Sequence, residues 1–337
     1  VWFKIIHHQL AEGMNMNILS WIIYVPLQIL FLPAVILGVS LVGYKQIVVS
    51  KKLGLSMTAI EVINGRWTMH IFGMRKDEAT ASLAAALPNT SLFGLWLTLF
   101  PLWVKYKISG RVAVYPRVPE LGSESIVDLI VARTLYFDRV IERAMEQVDQ
   151  LVVMGAGYDM RAYEKLRRNN VAFFELDQPS VQAHKLATLK SSDIVFEHVT
   201  FVSVDFANEN AIDKLIESGF DKSKKTLFLW EGVTLYLSQA DVRKTMRDIR
   251  NIATAGSVLL ADIYAERFIE FGGKGSSKKT LERTDEGVDF GLNFSSKHEQ
   301  TLSEFVKSES MSVGERFFLG EKSDKGPFVV VVEMLID

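Results

Sequence analysis

The 337-residue sequence predicts an α/β protein. The expected sheet has about seven strands, mostly parallel with an antiparallel edge strand, and an α-helical membrane region precedes it. Short apolar runs alternate with helical patterns from residue 119 onward. The first four of those runs end in glycine or an acid. Ahead of them, Ile18 to Gly43 is 26 residues long without a charge.

The N-terminal stretch comes first. About 20 apolar residues span a hydrocarbon core as a helix, and a secretory signal would be shorter and followed by small residues. Residues 1–50 are therefore expected to be a membrane anchor, with Pro26 and Pro33 tolerated inside it. Only Lys4 is basic before the uncharged stretch. Lys45, Lys51, Lys52, Arg66, Arg75 and Lys76 follow it, then Lys105, Lys107 and Arg111. The positive-inside rule places everything after Gly43 in the cytoplasm. A second uncharged stretch, Ala79 to Val104, is broken at Pro88–Ser91, which leaves a piece suited to the interface. A two-span hairpin ranks second, because it would leave six basic residues outside; a wholly monotopic anchor ranks third. Residues 51–118 are expected to form an amphipathic connector and lid, with one helix over Arg66 to Leu87. "YPRVPELGSES", Tyr115 to Ser125, reads as a turn or linker. Residues 119–337 are expected to form the α/β domain.

Composition narrows the chemistry. A hydrophobic share of 48% suits a sizeable core, and a net charge of −2 gives no basic field for nucleic acid. The absence of cysteine rules out disulfides, thiolate metal sites and a cysteine nucleophile. There is no HExxH pattern, so no metal is expected, and His7-His8 is not read as a ligand pair. The chain opens at Val1 rather than methionine, so residues ahead of it are expected.

Strands are expected at Gln150–Met154, Val171–Glu175, Thr200–Val204, Thr226–Trp230, Ser257–Asp262, Glu315–Leu319 and Phe328–Met334. The last two have no helix between them and should pair antiparallel at the edge. Phe271 to Thr280 reads as a polar, glycine-rich loop. Ligands of open α/β sheets bind outside the carboxyl ends of the strands. The first four strands deliver Gly155-Ala156-Gly157, then Glu175-Leu176-Asp177, then Asp205-Phe206, then Glu231-Gly232. Gly155 and Gly157 permit a sharp turn and close backbone approach. Asp177, 20 residues beyond Gly157, sits at the spacing of an acid that accepts from ribose hydroxyls. Asp205 and Phe206 suit an adenine amino group and an apolar wall. Glu231 suits an ammonium. Those demands describe S-adenosylmethionine. NAD would want a glycine at 160, where Met160 stands.

The same residues resemble the leucine carboxyl methyltransferase family, including its bacterial branch of S-adenosylmethionine-dependent O-methyltransferases. The likeness runs in order through "VARTLYFDRVI" (131–141), "LVVMGAGYDMRAY" (151–163), "FFELDQPSVQAHKLATL" (173–189), "VSVDFA" (202–207) and "LFLWEGVTLYLS" (227–238). It implies a class I methyltransferase fold, with Arg133 at the cofactor carboxylate and Gly155, Ala156 and Gly157 in the glycine loop. It further implies Asp177, Gln178 and Glu175 near the ribose, Asp205 and Phe206 at adenine, and Glu231 at the methionine end. Tyr236 falls on the wall near the methyl group, and Arg66 is a candidate for the family's N-terminal basic residue. No family counterpart is found for residues 1–50.

A carboxylate acceptor is already ionised at neutral pH and needs no general base. It needs desolvation and a donor, for which Arg161 and Tyr236 are the candidates. A hydroxyl acceptor would want a base, and none of His70, His184 and His198 lies at a strand end. The expectation is thus a membrane-anchored methyltransferase acting on a carboxylate or acidic hydroxyl of a hydrophobic, lipid-like acceptor. A protein C-terminal carboxylate, a non-catalytic cofactor-binding regulator, an NAD-dependent oxidoreductase and a scaffold are the rivals.

Overall fold

The computed structural model describes residues 2–164, 166–206, 208–272 and 288–337. The expected polar loop lies, from residue 273 on, outside the described residues.

Seven strands form one sheet: β1 (Gln150–Met154), β2 (Ala172–Asp177), β3 (Val199–Ser203), β4 (Thr226–Trp230), β5 (Val258–Tyr264), β6 (Ser312–Leu319) and β7 (Val329–Leu335), in the order β3-β2-β1-β4-β5-β7-β6. β1 to β5 run parallel, and β7 pairs antiparallel with both β5 and β6. The expected antiparallel pair is at the edge, but the reversed strand itself is interior. β7 reads Val-Val-Val-Val-Glu-Met-Leu and is buried on both faces up to its last residue. β6 is more polar, half exposed over its first half and irregular between Val313 and Arg316, which suits an edge that must resist pairing. The order reverses between β1 and β4, so the crevice opens at their carboxyl ends.

Helices cover both faces. α6 (Leu129–Ala144) and α7 (Pro179–Lys190) pack on one side, and α8 (Ala211–Glu217) and α9 (Gln239–Ile252) on the other, joined there by α11 (His298–Ser308). α10 (Glu266–Gly272) follows β5.

The N-terminal third is more integrated than a connector. α1 (Trp2–Gly43) continues through a π-helical turn (Tyr44–Val49) into α2 (Ser50–Leu53), which Gly54 ends at φ +65°. The single helix expected over Arg66 to Leu87 is two: α3 (Met57–Ile71) and α4 (Glu78–Ala86). Gly73, at φ +66°, turns the chain after α3, and the Asp77 side chain caps α4 by accepting from the Thr80 N–H at 2.9 Å. α5 (Leu92–Ser109) starts on a Ser91 cap and stops at Gly110, φ +66°. Ile60, Ile63, Trp67, Leu83, Leu95 and Leu99 are buried in one core with α6 and β1. On α1, Ser20, Tyr24, Leu27, Phe31, Ala34 and Gly38 recur every three or four residues as the less exposed stripe, and that stripe meets α5.

Candidate functional site

The first βα turn is built by two glycines in the left-handed region, Gly155 at φ +67° and Gly157 at φ +46°. A Cβ on Gly155 would stand 2.6 Å from Val233 Cγ2, so this position needs both the conformation and the space. The N–H groups of Gly155 and Ala156 both donate to the Leu176 carbonyl, at 2.9 and 3.0 Å, and tie the loop to β2. Asp177 ends β2 and completes the turn: its carboxylate accepts from the Gly157 N–H at 2.6 Å and the Gln178 N–H at 2.7 Å. Burial pushes its carboxyl above the ordinary value, while those two N–H groups pull it back.

This loop forms one wall of a cavity of about 2520 Å³. Of the residues singled out from the sequence, Arg66, Arg133, Gly155, Ala156, Gly157, Asp177, Gln178, Phe206, Glu231 and Tyr236 line it. The cavity runs from the strand ends past Met57 and Ile130 to Val42, Gln46, Leu95 and Leu99, at the meeting of α1 and α5. Ligand pockets for small molecules usually hold about 300–1,000 Å³. The space therefore exceeds what one nucleoside needs.

Three candidates sit elsewhere. Glu175 is fully buried behind the loop, paired with Lys185 Nζ at 2.7 Å, and does not line the cavity. Burial pushes its carboxyl up to about 7, against the pull of Lys185. Arg161 is buried and committed to carboxylates: its Nε donates to Asp138 at 2.7 Å and its Nη1 to Asp159 at 2.5 Å and Glu231 at 2.6 Å. It stands behind the cavity wall, where it positions acids rather than an acceptor. Asp205 is half-buried beside the opening and accepts from Asn208 Nδ2 at 2.8 Å, while Phe206 is exposed into the cavity.

The floor is an ion-pair network that the sequence left partly hidden. Arg66 of α3 donates through Nη1 to Asp159 and through Nη2 to both oxygens of Glu231, each at 2.9 Å. Gly65 beside it lets α3 meet α6, because a Cβ there would come within 2.6 Å of Ile130 Cγ2. Arg133 Nη1 donates to Asp262 at 3.1 Å and to the Tyr264 hydroxyl at 2.6 Å, and its Nε lies 3.4 Å from Glu231. Asp262 also accepts from the Gly232 N–H at 2.9 Å. Burial works against the charged forms of Asp159 and Glu231, yet the surrounding guanidiniums hold both below the ordinary carboxylate range. Arg133, Arg66 and Arg161 thus balance Asp159, Glu231 and Asp262. Asp159 was visible in the Gly-Ala-Gly-x-Asp pattern. Asp262 is the last residue of the strand expected from the sequence, although β5 itself runs two residues further to Tyr264, and an acid at the end of that apolar run is a signal that could have found it.

The Arg133 Nε is buried with no hydrogen-bond partner among the described residues. Among the described residues, no histidine lines the cavity. The Tyr236 hydroxyl donates to Thr58 Oγ1 at 3.0 Å, closing the turn after β4 onto the start of α3.

The sequence model described as "Leucine carboxyl methyltransferase" matches residues 112–250. A protein of Mycobacteroides abscessus named "Putative S-adenosyl-L-methionine-dependent methyltransferase" is 32% identical over 152 residues, 44% of this chain and 50% of that one. A Bacillus subtilis protein of the same description is 29% identical over 152 residues, 44% of this chain and 49% of its own. The chain spans about half the length of the curated relatives it matches. Among solved structures, an O-methyltransferase family protein from Burkholderia thailandensis aligns at a TM-score of 0.41 and 13% identity, over 62% of this chain and 57% of that one. Magnesium protoporphyrin IX methyltransferase from Synechocystis, with bound S-adenosylhomocysteine, aligns at 0.41 and 10% identity, over 66% and 91%.

Proposed function

We infer, from the premise that residues 112–250 belong to the leucine carboxyl methyltransferase family, that the chain is an S-adenosylmethionine-dependent methyltransferase held at a membrane. The acceptor class is the carboxylate, or acidic hydroxyl, of a hydrophobic, lipid-like molecule. The observation that carries this reading is the cavity itself. It joins the glycine loop to the apolar meeting point of α1 and α5 without an imidazole on its walls.

The residues fit the cofactor by chemistry. Asp177 spends one accepting direction per oxygen on backbone N–H groups and retains others for ribose hydroxyls. Arg133 Nε, 3.4 Å from Glu231, is a buried cation donor without a hydrogen-bond partner among the described residues, suited to the cofactor carboxylate. Glu231, kept ionised by its arginines, suits the ammonium. Phe206 suits one face of adenine, with Gly157 and Gln178 near the ribose. S-adenosylmethionine, when bound, supplies a methyl group on a sulfonium as the electrophile.

The chain's own part is position and exclusion of water. Apolar walls at Met57, Ile130, Leu235 and Phe268 strip solvent from an acceptor, which makes an ionised oxygen a better nucleophile. The Tyr236 hydroxyl is on the wall, and its one proton, given to Thr58 Oγ1 in this structure, would have to turn to the acceptor to aim it. An acceptor ionised at neutral pH asks nothing further of the wall, and that favours a carboxylate over an alcohol.

The test is direct. S-adenosylhomocysteine should bind in a calorimetric titration, and Asp177→Ala should weaken it at least tenfold. Radiolabelled S-adenosylmethionine with membrane lipid extracts should yield a product whose label is released by mild base, as a methyl ester requires. A base-stable product overturns the carboxylate. Binding without turnover on any extract or C-terminal peptide favours a regulator.

A further inference from the structure

The structure bears on how the anchor meets a bilayer. α5 is pinned to the catalytic body at both ends: Trp96 packs edge-to-face on Trp67 at 5.5 Å, and Tyr106 packs on Phe72 at 5.4 Å. α1 lies antiparallel along the outer side of α5. Gly38 meets Gly94, where a Cβ on Gly38 would come within 2.5 Å of the Gly94 carbonyl oxygen. Phe31 stacks on Phe100 at 5.2 Å, and Lys105 Nζ sits 4.6 Å over the Trp21 ring and 3.4 Å from Asn17 Oδ1. From Trp21 to Gly38, about 25 Å at 1.5 Å per residue, α1 is thus held against a helix that is itself held against the body.

A hydrocarbon core is about 30 Å thick. To stand α1 upright across it would carry α5, Trp67 and Phe72 through most of that thickness. Nor can α5 cross on its own. The chain before it holds α3, whose Arg66 bonds Glu231, and the chain after it holds α6 and β4, which bears Glu231. Both ends of α5 must therefore lie on one side of the membrane.

The outer face of α1 is apolar and open. Met16–Leu53 is long and apolar enough to cross a membrane, yet only 6% of its most apolar window is buried. Ile22, Ile29 and Ile36, one heptad apart, are each more than 60% exposed. Charge complements this face at both ends. Between residues 13 and 60, and again between 79 and 119, the sequence holds no acid. It holds Lys45, Lys51 and Lys52 near one end of the pair, and Lys107 and Arg111 near the other.

We propose that α1 lies in the plane of one leaflet, its open apolar face among acyl chains and both basic ends against anionic headgroups, and that it does not cross the bilayer. The proposal rests on the membrane-attachment part of the function inferred above, and it replaces the single span expected from the sequence with the monotopic attachment ranked third there. It places Val42, Leu95 and Leu99, where the cavity reaches the α1–α5 pair, at the level of the leaflet. An acceptor carried by the lipid then reaches the cavity without crossing water.

The chain has no cysteine, which makes single labels clean. Full-length Ile22→Cys, Ile29→Cys and Ile36→Cys variants, each spin-labelled and bound to vesicles of phosphatidylcholine with 30 mol% phosphatidylserine (roughly a cytoplasmic-leaflet charge), are compared by oxygen and nickel-chelate accessibility. The expected result is one shallow depth at all three positions, and release from the vesicles at high salt combined with loss of phosphatidylserine. A maximum depth at Ile29 flanked by shallower sites means a span and overturns the proposal. Failure to bind vesicles, with a dimer in sedimentation and all three labels buried, means that a second copy covers this face and overturns it equally. Titration of the same variants with S-adenosylhomocysteine separates the two readings: lost cofactor binding with uniform depth sinks the methyltransferase and leaves the in-plane anchor standing.

Discussion

Gly155 and Gly157 look interchangeable in the sequence and are not. Both need a left-handed backbone, which costs a residue with a Cβ about 1–2 kcal/mol. Only Gly155 also lacks room, with Val233 at 2.6 Å; the nearest atom to a Cβ on Gly157 is Ala59 Cβ at 3.9 Å. Gly155→Ala should therefore lose more stability than Gly157→Ala in urea unfolding. It should also lose S-adenosylhomocysteine affinity tenfold or more, because Val233 lines the same cavity. Equal losses would mean that backbone conformation alone governs the loop. What the sequence made legible here was the end of a strand: Asp177 and Glu231 stand where parallel strands present their last residue. Glu175 was misleading for a geometric reason. It lies two residues back on the same face of β2, roughly 7 Å deeper, where the partner is Lys185 of α7 rather than a ligand. Arg161 misled because no sequence pattern tells that three carboxylates from three elements converge on one guanidinium.

At the scale of elements, β1 and β4 were legible to the residue, since apolar runs buried on both faces begin and end sharply. The split between α3 and α4 was not read, although its signals are local: Gly73 as the turn and Asp77 as the cap. The pairing of α1 with α5 was beyond periodicity, because both helices are apolar nearly all round and no stripe stands out. What fixes that pairing is close approach at Gly38 and Gly94, the small-residue contact common between apolar helices. Gly38→Leu should force α1 off α5. The expected readout is faster hydrogen exchange across Leu92–Ser109 with the strand amides unchanged. Unchanged exchange in α5 would mean that Phe31, Phe100 and Lys105 suffice to hold the pair.

At the scale of the whole molecule, Arg66 couples the N-terminal third to the sheet. It is delivered from before residue 119, as is Arg75, which joins the same network by bonding Asp138 at 2.6 Å, and it reaches acids on the first and fourth βα turns at once. Both acids are buried. Arg161 bonds both as well, so removing Arg66 leaves the acids one cation short rather than bare, and the loss should fall below the about 3–5 kcal/mol typical of a buried pair broken outright. Arg66→Met should show that loss in urea unfolding. Arg66→Lys should recover only part, because an ammonium cannot present two forks to two carboxylates. Adding Glu231→Gln to Arg66→Met should restore some stability, since an amide is cheaper to bury than an unpaired carboxylate; additive losses would mean the two residues do not interact. The pH dependence has a definite sign. Asp159 and Glu231 titrate below their ordinary range in the folded chain, so their pairing stabilises the fold above about pH 4.5, and that contribution is lost as the pH falls through their depressed values. Without Arg66 both carboxyls titrate higher, and acid unfolding should begin at a higher pH than in the native chain. An acid limb that does not move would assign the depression to the other cations, Arg161 at both acids with Arg133 at Glu231 and Lys185 at Asp159, and would mean that Arg66 does not couple the N-terminal helices to the cavity floor.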